Sequence, residues 1–258
     1  MPSPSSNVAF RIFGFDVMWY GLLIGIGMML AILIAYRRAP RHQIEPDRIY
    51  DIALVCLPVA IVGCRLYYVA FHWERYAGDL FKILNIREGG LAVHGGLIAG
   101  MLAGYALCRR WKLNPLNGLD LVVPGIALAQ SIGRWGNYFN QEAHGGPTDL
   151  PWAIEINGQT VHPTFLYESI WCFLLFFLLI YIDDHRRFPG QTFLSYGILY
   201  SIERFFVEGL RTDSLMLGPL RQAQVLSLSV VLVFSAVYTF LWRRSQSGAS
   251  KDGGDALS

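Results

Sequence analysis

Long apolar runs recur along the chain, separated by short polar connections in which arginine is frequent. An α-helix pairs its own backbone groups, so about 20 mostly apolar residues are enough to cross a bilayer. The pattern predicts seven membrane helices: 18–36, 49–70, 91–107, 117–135, 163–182, 192–210 and 223–242. The fourth is the weakest of these, because Pro124 interrupts it and Gln130 and Arg134 add polar groups.

Lysine and arginine in the connections predict the orientation, since the cytoplasmic loops of membrane proteins carry an excess of both. If the N-terminus lies outside, the inner connections hold twelve of these cations and the outer segments hold six. We therefore expect an all-α polytopic membrane protein with its N-terminus outside and its C-terminus in the cytoplasm. Residues 1–244 would form one transmembrane domain with a small outward-facing head segment at 137–162, and residues 245–258 would be a disordered tail.

Composition agrees with a membrane protein and argues against several soluble classes. The 258 residues are 53% hydrophobic and 16% charged, and the mean hydropathy of +0.38 is apolar for a soluble domain. A net charge of +2 is too small to indicate a nucleic-acid partner. The four cysteines lie in apolar runs without C-x-x-C spacing, and the histidines lack paired spacing. We therefore expect reduced packing cysteines and no metal site.

Three local patterns predict further detail. Gly96, Gly100 and Gly104 recur at four-residue spacing and form a small-residue face that lets another helix approach closely. Alternating residues around Asn157-Gly158 predict a short hairpin in the head segment. The residues at 1–7 are neutral, so we expect the first apolar run to remain as a helix and not to be cleaved as a signal peptide.

Polar residues inside the predicted spans are costly, at roughly 2.5 to 3.5 kcal/mol for a charge near a helix centre. Each such residue therefore needs a partner or a function. On the predicted topology they converge toward the outer side, whereas the charges of the inner side lie in loops. They are Tyr20, Arg65, His94, Arg134, Glu168, Arg204 and Glu208.

One face of the sixth predicted span is polar, and Glu203 lies outside that face. That face consists of Tyr200, Arg204, Glu208 and Arg211. One interpretation is an ion pair between Arg204 and Glu208 that only lets the helix pack. The other is an anion site, since guanidinium groups bind phosphate oxygens in bidentate fashion, and a phospholipid headgroup is the most plausible anion within a membrane. His94 has two similar interpretations, as a structural residue or as a proton acceptor near neutral pH.

The stretch at 133–146, GRWGNYFNQEAHGG, is too polar and too rich in glycine for an ordinary helix end. It resembles the signature of the bacterial prolipoprotein diacylglyceryl transferases, Gly-Arg-x-Gly-Asn-Phe-x-Asn-x-Glu-x-x-Gly, with Tyr138 in place of phenylalanine. Ser201 departs from the glycine that is usual in the family. Further matches are Trp19-Tyr20-Gly21, Arg65 in GCRLYY, His94-Gly95-Gly96, HPTFLYES from His162, and the polar face of the sixth span.

The resemblance implies transfer of the diacylglyceryl group of phosphatidylglycerol to the lipobox cysteine of a preprolipoprotein, the first step of bacterial lipoprotein maturation. A thioether would form and glycerol phosphate would leave, with no cofactor and no metal. The partners would be phosphatidylglycerol, the lipobox region of the signal peptide and membrane lipids. The protein would lie in the bacterial inner membrane with its active site facing the periplasm.

Carried over by position, the resemblance implies His94, Arg134, Arg204 and Tyr20 as catalytic residues. His94 would be the base for the thiol, and the two arginines would bind the phosphate. The residues expected to bind the headgroup are Arg134, Asn137, Asn140, Gly145, Arg65, Glu142, Tyr200, Glu208 and Arg211. The rival predictions are a transporter or channel for an anionic or lipid substrate, with polar groups at the bilayer midplane, and a noncatalytic lipid-binding protein.

Overall fold

The computed structural model describes residues 3–4, 6–85, 89–212 and 216–252, and these are mostly helical. Seven α-helices lie within them: α1 (Trp19–Arg38), α2 (Asp47–Phe71), α3 (Val93–Arg110), α4 (Pro115–Asn140), α5 (Thr164–Asp184), α6 (Gln191–Leu210) and α7 (Gln222–Asp252). Three antiparallel hairpins accompany them: β1 (Val8–Ile12) with β2 (Phe15–Met18), β3 (Ile154–Ile156) with β4 (Gln159–Val161), and β5 (Met216–Leu217) with β6 (Leu220–Arg221).

Each predicted span corresponds to one of the seven helices. Five of them are long and apolar enough to cross a membrane: α1 continued through His42, α2, α4, α5, and α7 as far as Ser247. Much of the exposed surface of these helices is apolar, as at Leu54 and Phe240, which suits contact with lipid. The prediction of an all-α membrane protein is confirmed, whereas the count of seven spans and the orientation of the termini stay predictions.

Two helices extend beyond their predicted ends. Helix α4 reaches Asn140, so Asn137 and Asn140 lie on its last turn and not in the head segment expected at 137–162. Helix α7 reaches Asp252 and so overlaps the segment at 245–258 that the sequence predicts to be disordered. Residues 253–258 lie outside the described part, as does Arg87, which is one of the predicted outer cations.

The chain forms two compact units, and the single transmembrane domain expected over 1–244 stays a prediction. The first unit comprises Met1–Ile34 and Leu119–Ser258, and the second comprises Ala35–Gly118. The first unit therefore contains all three hairpins, most of α1 and α4, and the whole of α5, α6 and α7. The second contains α2 and α3.

Within the second unit, α2 and α3 pack antiparallel along a seam of small residues. A Cβ added to Gly95 would lie 2.3 Å from the carbonyl oxygen of Gly63, so only glycine permits this approach. The predicted glycine face continues the seam: Gly96 faces Cys64, Gly100 faces Ala60 and Gly104 faces Cys56. The prediction that this face admits a neighbouring helix is confirmed, and the neighbour is α2.

Within the first unit, α1 and α4 also approach closely and run antiparallel. A Cβ on Gly27 would lie 3.0 Å from the Cα atom of Ala129, and one on Gly125 would lie 2.9 Å from the Cα atom of Ala31. The helix continues through the buried Pro124, which the sequence pattern marks as an interruption. Close packing of the two backbones thus positions the polar end of α4 beside the start of α1.

The hairpins were only partly predictable. The β3–β4 turn lies at Asn157 and Gly158, whose φ angles are 51° and 76°, and it pairs Ile156 with Gln159. This prediction is confirmed, because Asn-Gly tolerates the left-handed backbone that a two-residue turn requires. The sequence pattern does not predict β1–β2, which turns at Phe13 and Gly14, or the short β5–β6 hairpin.

One carboxylate contradicts the expectation that charges away from the predicted polar site lie in loops. Asp120, on α4, is fully buried. It accepts hydrogen bonds from the backbone N–H groups of Gly190 at 2.6 Å and Phe193 at 2.8 Å, and it pairs with Arg186 at 3.1 Å. Asp120 therefore caps the start of α6, whose own N-cap residue, Gly190, has no side chain to do so.

Candidate functional site

The polar signature at 133–146 divides into a helical half and a turn. Residues 133–140 complete α4, and the chain then leaves the helix in a Schellman motif. The N–H of Gln141 donates to the carbonyl oxygen of Tyr138, and the N–H of Glu142 donates to that of Asn137, each at 3.1 Å. Gln141 is left-handed, with φ of 54°, as the motif requires. The turn leaves the asparagine side chains at the end of the helix.

Both signature asparagines are oriented by one carboxylate. The side-chain amides of Asn137 and Asn140 donate to the same Glu142 oxygen, at 3.0 and 3.2 Å. Within the described residues, each amide oxygen and the second N–H of each amide keep their capacity for another partner. Glu142 therefore acts on the two asparagines as a positioning group.

Gly145 lies where three segments of backbone meet. Its N–H donates to the carbonyl oxygen of His162 at 2.9 Å, and it forms an isolated bridge with Arg211 at the end of α6. A Cβ at this position would lie 2.6 Å from the Cβ of His162 and 3.1 Å from the carbonyl oxygen of Leu210. Only glycine permits this close approach of the backbone segments, and the φ angle of Gly145 is not in the left-handed region.

A buried carboxylate connects the signature helix to α6. Glu168, on α5, is 1% exposed. One of its oxygens pairs with Nε of Arg134, and the other pairs with Nη1 of Arg204. A buried carboxylate is stable only when it is well paired, and here two guanidinium groups from different helices share it.

The polar face of α6 continues this network. Nη2 of Arg204 lies 2.5 Å from a Glu208 oxygen, and Nε of Arg211 lies 4.0 Å from the same oxygen. The hydroxyl of Tyr200 accepts a hydrogen bond from Nη2 of Arg134 at 3.2 Å. The Arg204–Glu208 pair that the helical spacing predicts is therefore present, but it is one link of a larger network.

Both central arginines keep capacity for a further ligand. The side chains of Arg134 and Arg204 are 23% and 20% exposed, whereas that of Glu168 is 2% exposed. Among the described residues, nothing accepts a hydrogen bond from Nη1 of Arg134 or from Nε of Arg204. Together these nitrogens offer N–H donors suited to the oxygens of an anion.

Tyr20 lies at the start of α1, against the signature helix. A Cβ on Gly136 would lie 2.5 Å from Cδ2 of the Tyr20 ring, which explains the glycine between Arg134 and Asn137. The neighbouring Trp19 stacks on Phe139 with ring centroids 4.7 Å apart. The half-exposed Tyr20 ring is thus held beside the end of α4.

Arg65 makes a dense set of backbone contacts in the second unit, and its predicted contact with a headgroup stays a prediction. Its guanidinium donates to five backbone carbonyl oxygens, those of Lys82, Ile83, Asn85, Gly89 and Gly90, at 2.6 to 3.1 Å. It also lies 5.0 Å from the centre of the Tyr76 ring. All five N–H donors of the guanidinium are then occupied, so Arg65 holds the segment after α2.

His94 also lies in the second unit, in the first turn of α3. Its side chain is exposed, and its ring centroid is 6.3 Å from that of Tyr67. The two glycines that follow it are buried against α2, so the histidine is carried on a closely packed helix end. Its role as a base stays a prediction.

Two acidic residues of the network are missing from the predicted site. The sequence marks Glu168 only as a costly polar residue within a span, and helical spacing places Glu203 off the polar face of α6. The available signal for Glu168 was a lone carboxylate in an otherwise apolar run. Which arginines it would join was not readable from spacing along one helix, because its partners lie on two other helices.

The described residues do not contain a group of three or more histidine, cysteine or acidic side chains placed to hold a metal ion. Cys56, Cys64, Cys108 and Cys172 are free thiols, and the last two are buried.

Comparison with known proteins gives one consistent result. Residues 7–242 match the model of a family described as prolipoprotein diacylglyceryl transferase. A phosphatidylglycerol–prolipoprotein diacylglyceryl transferase of Clostridioides difficile is 50% identical over 246 residues, which cover 95% of this chain and 99% of that protein. Proteins of the same name from Finegoldia magna and Bacillus cereus are 52% and 43% identical, over 88% and 95% of this chain and 92% and 94% of their own lengths. The chain therefore belongs to the prolipoprotein diacylglyceryl transferase family.

Proposed function

We propose that the chain transfers the diacylglyceryl group of phosphatidylglycerol to the cysteine thiol of a lipobox in a preprolipoprotein. The observation that carries the proposal is the pair of guanidinium groups, from Arg134 and Arg204, that share Glu168 and keep N–H donors for an anion. Phosphatidylglycerol and prolipoprotein are the reactants in the names of the relatives. Those names favour a transferase over the transporter or channel that the sequence left as an alternative.

The reaction forms a bond between the cysteine sulfur and a glycerol carbon, and breaks the bond between that carbon and a phosphate oxygen. The thiol gives up its proton, and glycerol phosphate leaves with the electron pair of the broken bond. A free thiol, with a pKa of about 8.5, is mostly protonated at neutral pH, so a base or a positive field must activate it. The departing phosphate gains negative charge, which fixed hydrogen-bond donors stabilise in a dry site.

Arg134 and Arg204 bind the phosphate and stabilise it as it leaves. Glu168 holds the two guanidinium groups in one arrangement, so the donors need little reorganisation during the reaction. Glu208 and Arg211 extend the network from the same helix face and keep Arg204 in place. Tyr200 orients Arg134 through its hydroxyl group.

The remaining headgroup contacts come from the end of α4 and the start of α1. Asn137 and Asn140 hydrogen-bond the glycerol or phosphate oxygens with the amide groups that Glu142 leaves free. Tyr20 lies beside this helix end and adds its hydroxyl group. Gly145 keeps the turn that follows α4 packed against the end of α6.

His94 is the proposed base for the thiol, because neutral imidazole accepts a proton near pH 7. A His94→Gln variant should then lose most of its turnover and should recover part of it at higher pH, where more thiolate is present. If this variant keeps near wild-type turnover while Arg134→Ala loses most of it, the field of the arginines alone activates the thiol.

The active site faces the outer side of the bacterial inner membrane, and the chain crosses that membrane seven times with its N-terminus outside. The antiparallel packing of α1 with α4 and of α2 with α3 supports this arrangement, as does the excess of cations in the predicted inner connections. A reporter that works only in the cytoplasm should be active when fused after Arg244 and silent when inserted near Thr148. The reverse pattern would overturn the orientation.

Both substrates reach the site from within the bilayer, the lipid with its acyl chains and the protein with its signal helix. The test uses the purified full chain in detergent with phosphatidylglycerol and a lipobox peptide. We expect the peptide to gain the mass of a diacylglyceryl group and glycerol phosphate to be released in equal amount. A peptide with serine in place of cysteine is the control and should gain no mass. Absence of both products with the cysteine peptide would exclude the proposed reaction.

A further inference from the structure

The β1–β2 hairpin, which precedes α1, has one apolar face and one charged face. Residues that lie opposite each other in an antiparallel pair of strands point to the same side of the hairpin. Four paired residues form the apolar face: Phe10 with Val17, and Ile12 with Phe15. Arg11 and Asp16 are paired between them, point to the other side and form an ion pair. The hairpin is therefore amphipathic.

The described part of the chain leaves the apolar face largely open. Phe10, Ile12 and Phe15 are 44%, 48% and 75% exposed, and Phe13, at the turn, is 97% exposed. Three phenylalanines and an isoleucine on so short a hairpin form a contiguous apolar surface. A surface of this kind indicates contact with a partner or with a membrane.

The β3–β4 hairpin also has an apolar face, but there the protein itself covers it. Ile154, Ile156 and Val161 are 2%, 6% and 3% exposed and form a core cluster with Phe165 of α5. Exposure of an apolar face is thus not a general property of the hairpins in this chain. The open face of β1–β2 requires an occupant from outside the described residues.

The place of the hairpin in the chain indicates that this occupant is lipid. Met18 ends β2 and Trp19 begins α1, with no linker between them. Helix α1 is apolar enough to cross a membrane, and its 20 residues span about 30 Å, which is the thickness of the hydrocarbon core. Trp19 therefore lies near the boundary between hydrocarbon and headgroups, where tryptophan is frequent. The apolar face of the hairpin continues the lipid-facing surface of α1.

We propose that the β1–β2 hairpin lies on the membrane surface at the start of α1, with its apolar face and Phe13 inserted in the leaflet. The Arg11–Asp16 pair then faces water, as the charged side does in amphipathic segments that bind in the plane of a bilayer. A bulge between Val8 and Phe10 bends the hairpin at its base, next to α1.

Insertion of the hairpin also affects the candidate site. The N–H of Trp19 donates to the carbonyl oxygen of Asn7 at 2.9 Å, which joins the base of the hairpin to the first turn of α1. The same turn carries Tyr20, which packs against the signature helix. The inserted hairpin thus fixes the depth of this turn in the membrane.

Electron paramagnetic resonance of spin labels tests the proposal. The full chain is reconstituted in vesicles of phosphatidylcholine and phosphatidylglycerol, with the label on Phe15→Cys or on Asp16→Cys. Wild-type protein treated in the same way corrects for labelling of the native cysteines. The Phe15 label should collide more with oxygen, which concentrates in lipid, than with a water-soluble nickel chelate, and should lie about 5 to 10 Å into the boundary of headgroups and acyl chains. The Asp16 label, on the opposite face, should show the reverse preference.

The two hairpin turns provide a matched control. A label on Phe13→Cys should be protected from the nickel chelate, whereas a label on Asn157→Cys, at the exposed turn of β3–β4, should be fully accessible to it. Both substitutions are at exposed turn positions, so neither removes a buried contact.

Equal access of the nickel chelate to the Phe15 and Asp16 labels would overturn the inference. Strong coupling between Phe13 labels would also overturn it, since a second copy of the chain would then cover the face. Protection that develops only after a lipobox peptide is added would do the same and would assign the face to the substrate. None of these outcomes bears on diacylglyceryl transfer, which the peptide mass gain measures separately.

Discussion

Glu168 and Asp120 are both buried carboxylates of the first unit, and both pair with arginine, yet their surroundings differ. Asp120 is 0% exposed and is satisfied by two backbone N–H groups and one guanidinium. Glu168 is shared by two partly exposed guanidinium groups that keep further donors. The residues they engage on α6, Phe193 and Arg204, lie roughly 16 Å apart along the helix. A buried ion pair by itself therefore does not identify a functional site.

The difference lies in what remains unsatisfied. The carboxylate oxygens of Asp120 accept hydrogen bonds from N–H groups that the first turn of α6 would otherwise leave unpaired. All of these polar groups are therefore satisfied without a ligand. At Glu168 the positive groups outnumber the carboxylate that joins them, and their surplus donors face no described residue. The first arrangement stabilises a helix end, and the second is suited to receive an anion.

Removal of Arg134 should cause the largest loss of transfer activity. Without such a loss, the contrast between the Glu168 and Asp120 clusters would not hold. Arg134→Ala should lower the rate of diacylglyceryl transfer by about 100- to 1000-fold, because fixed donors to a charge that develops in the transition state are lost. The measurement is the initial rate of peptide mass gain. Arg11→Ala, which removes an exposed arginine of β1, is the control and should retain the wild-type rate. Near wild-type transfer by Arg134→Ala would show that the Glu168 network is structural.

Loss of the Asp120 charge should affect stability and not chemistry. Asp120→Asn leaves Arg186 and the start of α6 without their carboxylate, and should lower the free energy of unfolding by about 3 kcal/mol. Unfolding of the detergent-solubilised protein measures this loss, and the transfer rate per folded molecule should stay near that of the wild type. A folded Asp120→Asn protein without transfer activity would contradict the separation of the two clusters.

A smaller loss of transfer activity is expected at Gly145, which supports the Glu168 network only through backbone packing. Gly145→Ala should lower the transfer rate by about 10- to 100-fold, because the new Cβ forces the signature turn away from His162 and the end of α6. Gly146→Ala is a matched control, since its Cβ would meet nothing closer than Thr212 at 3.7 Å. Equal rates for the two variants would contradict the positioning role of Gly145.

The smallest effect on stability is expected at an exposed ion pair, which is the reference for the buried pairs of Asp120 and Glu168. On the β1–β2 hairpin, the hydrogen bond from Arg11 lowers the pKa of the Asp16 carboxyl group. The stabilisation from this pair is therefore present above the ordinary aspartate pKa and is lost as the pH falls through the lowered one. NMR titration of the Asp16 carboxyl carbon should give a lower midpoint pH in the wild type than in the Arg11→Ala variant. Both proteins should unfold alike at neutral pH, because exposed pairs contribute little.

Patterns within one element were readable from the sequence. The apolar runs predicted the helices, Asn157-Gly158 predicted a hairpin turn, and four-residue spacing predicted the glycine face of α3. Spacing also placed Arg204 and Glu208 on one face of α6, where their side chains pair. These features follow from the 3.6-residue period of a helix and from the φ angles that particular residues tolerate, and both are local.

Partners on different elements were decided only by the tertiary structure. Nothing in the spacing of the chain indicates that Glu168 joins Arg134 to Arg204, or that Asp120 caps a helix that begins about 70 residues later. The same arginine residue type that suggests a phosphate ligand instead holds backbone carbonyl groups at Arg65. Sequence thus determined which costly polar groups the chain carries, whereas the packing of helices determined which of them are satisfied and which remain available to a substrate.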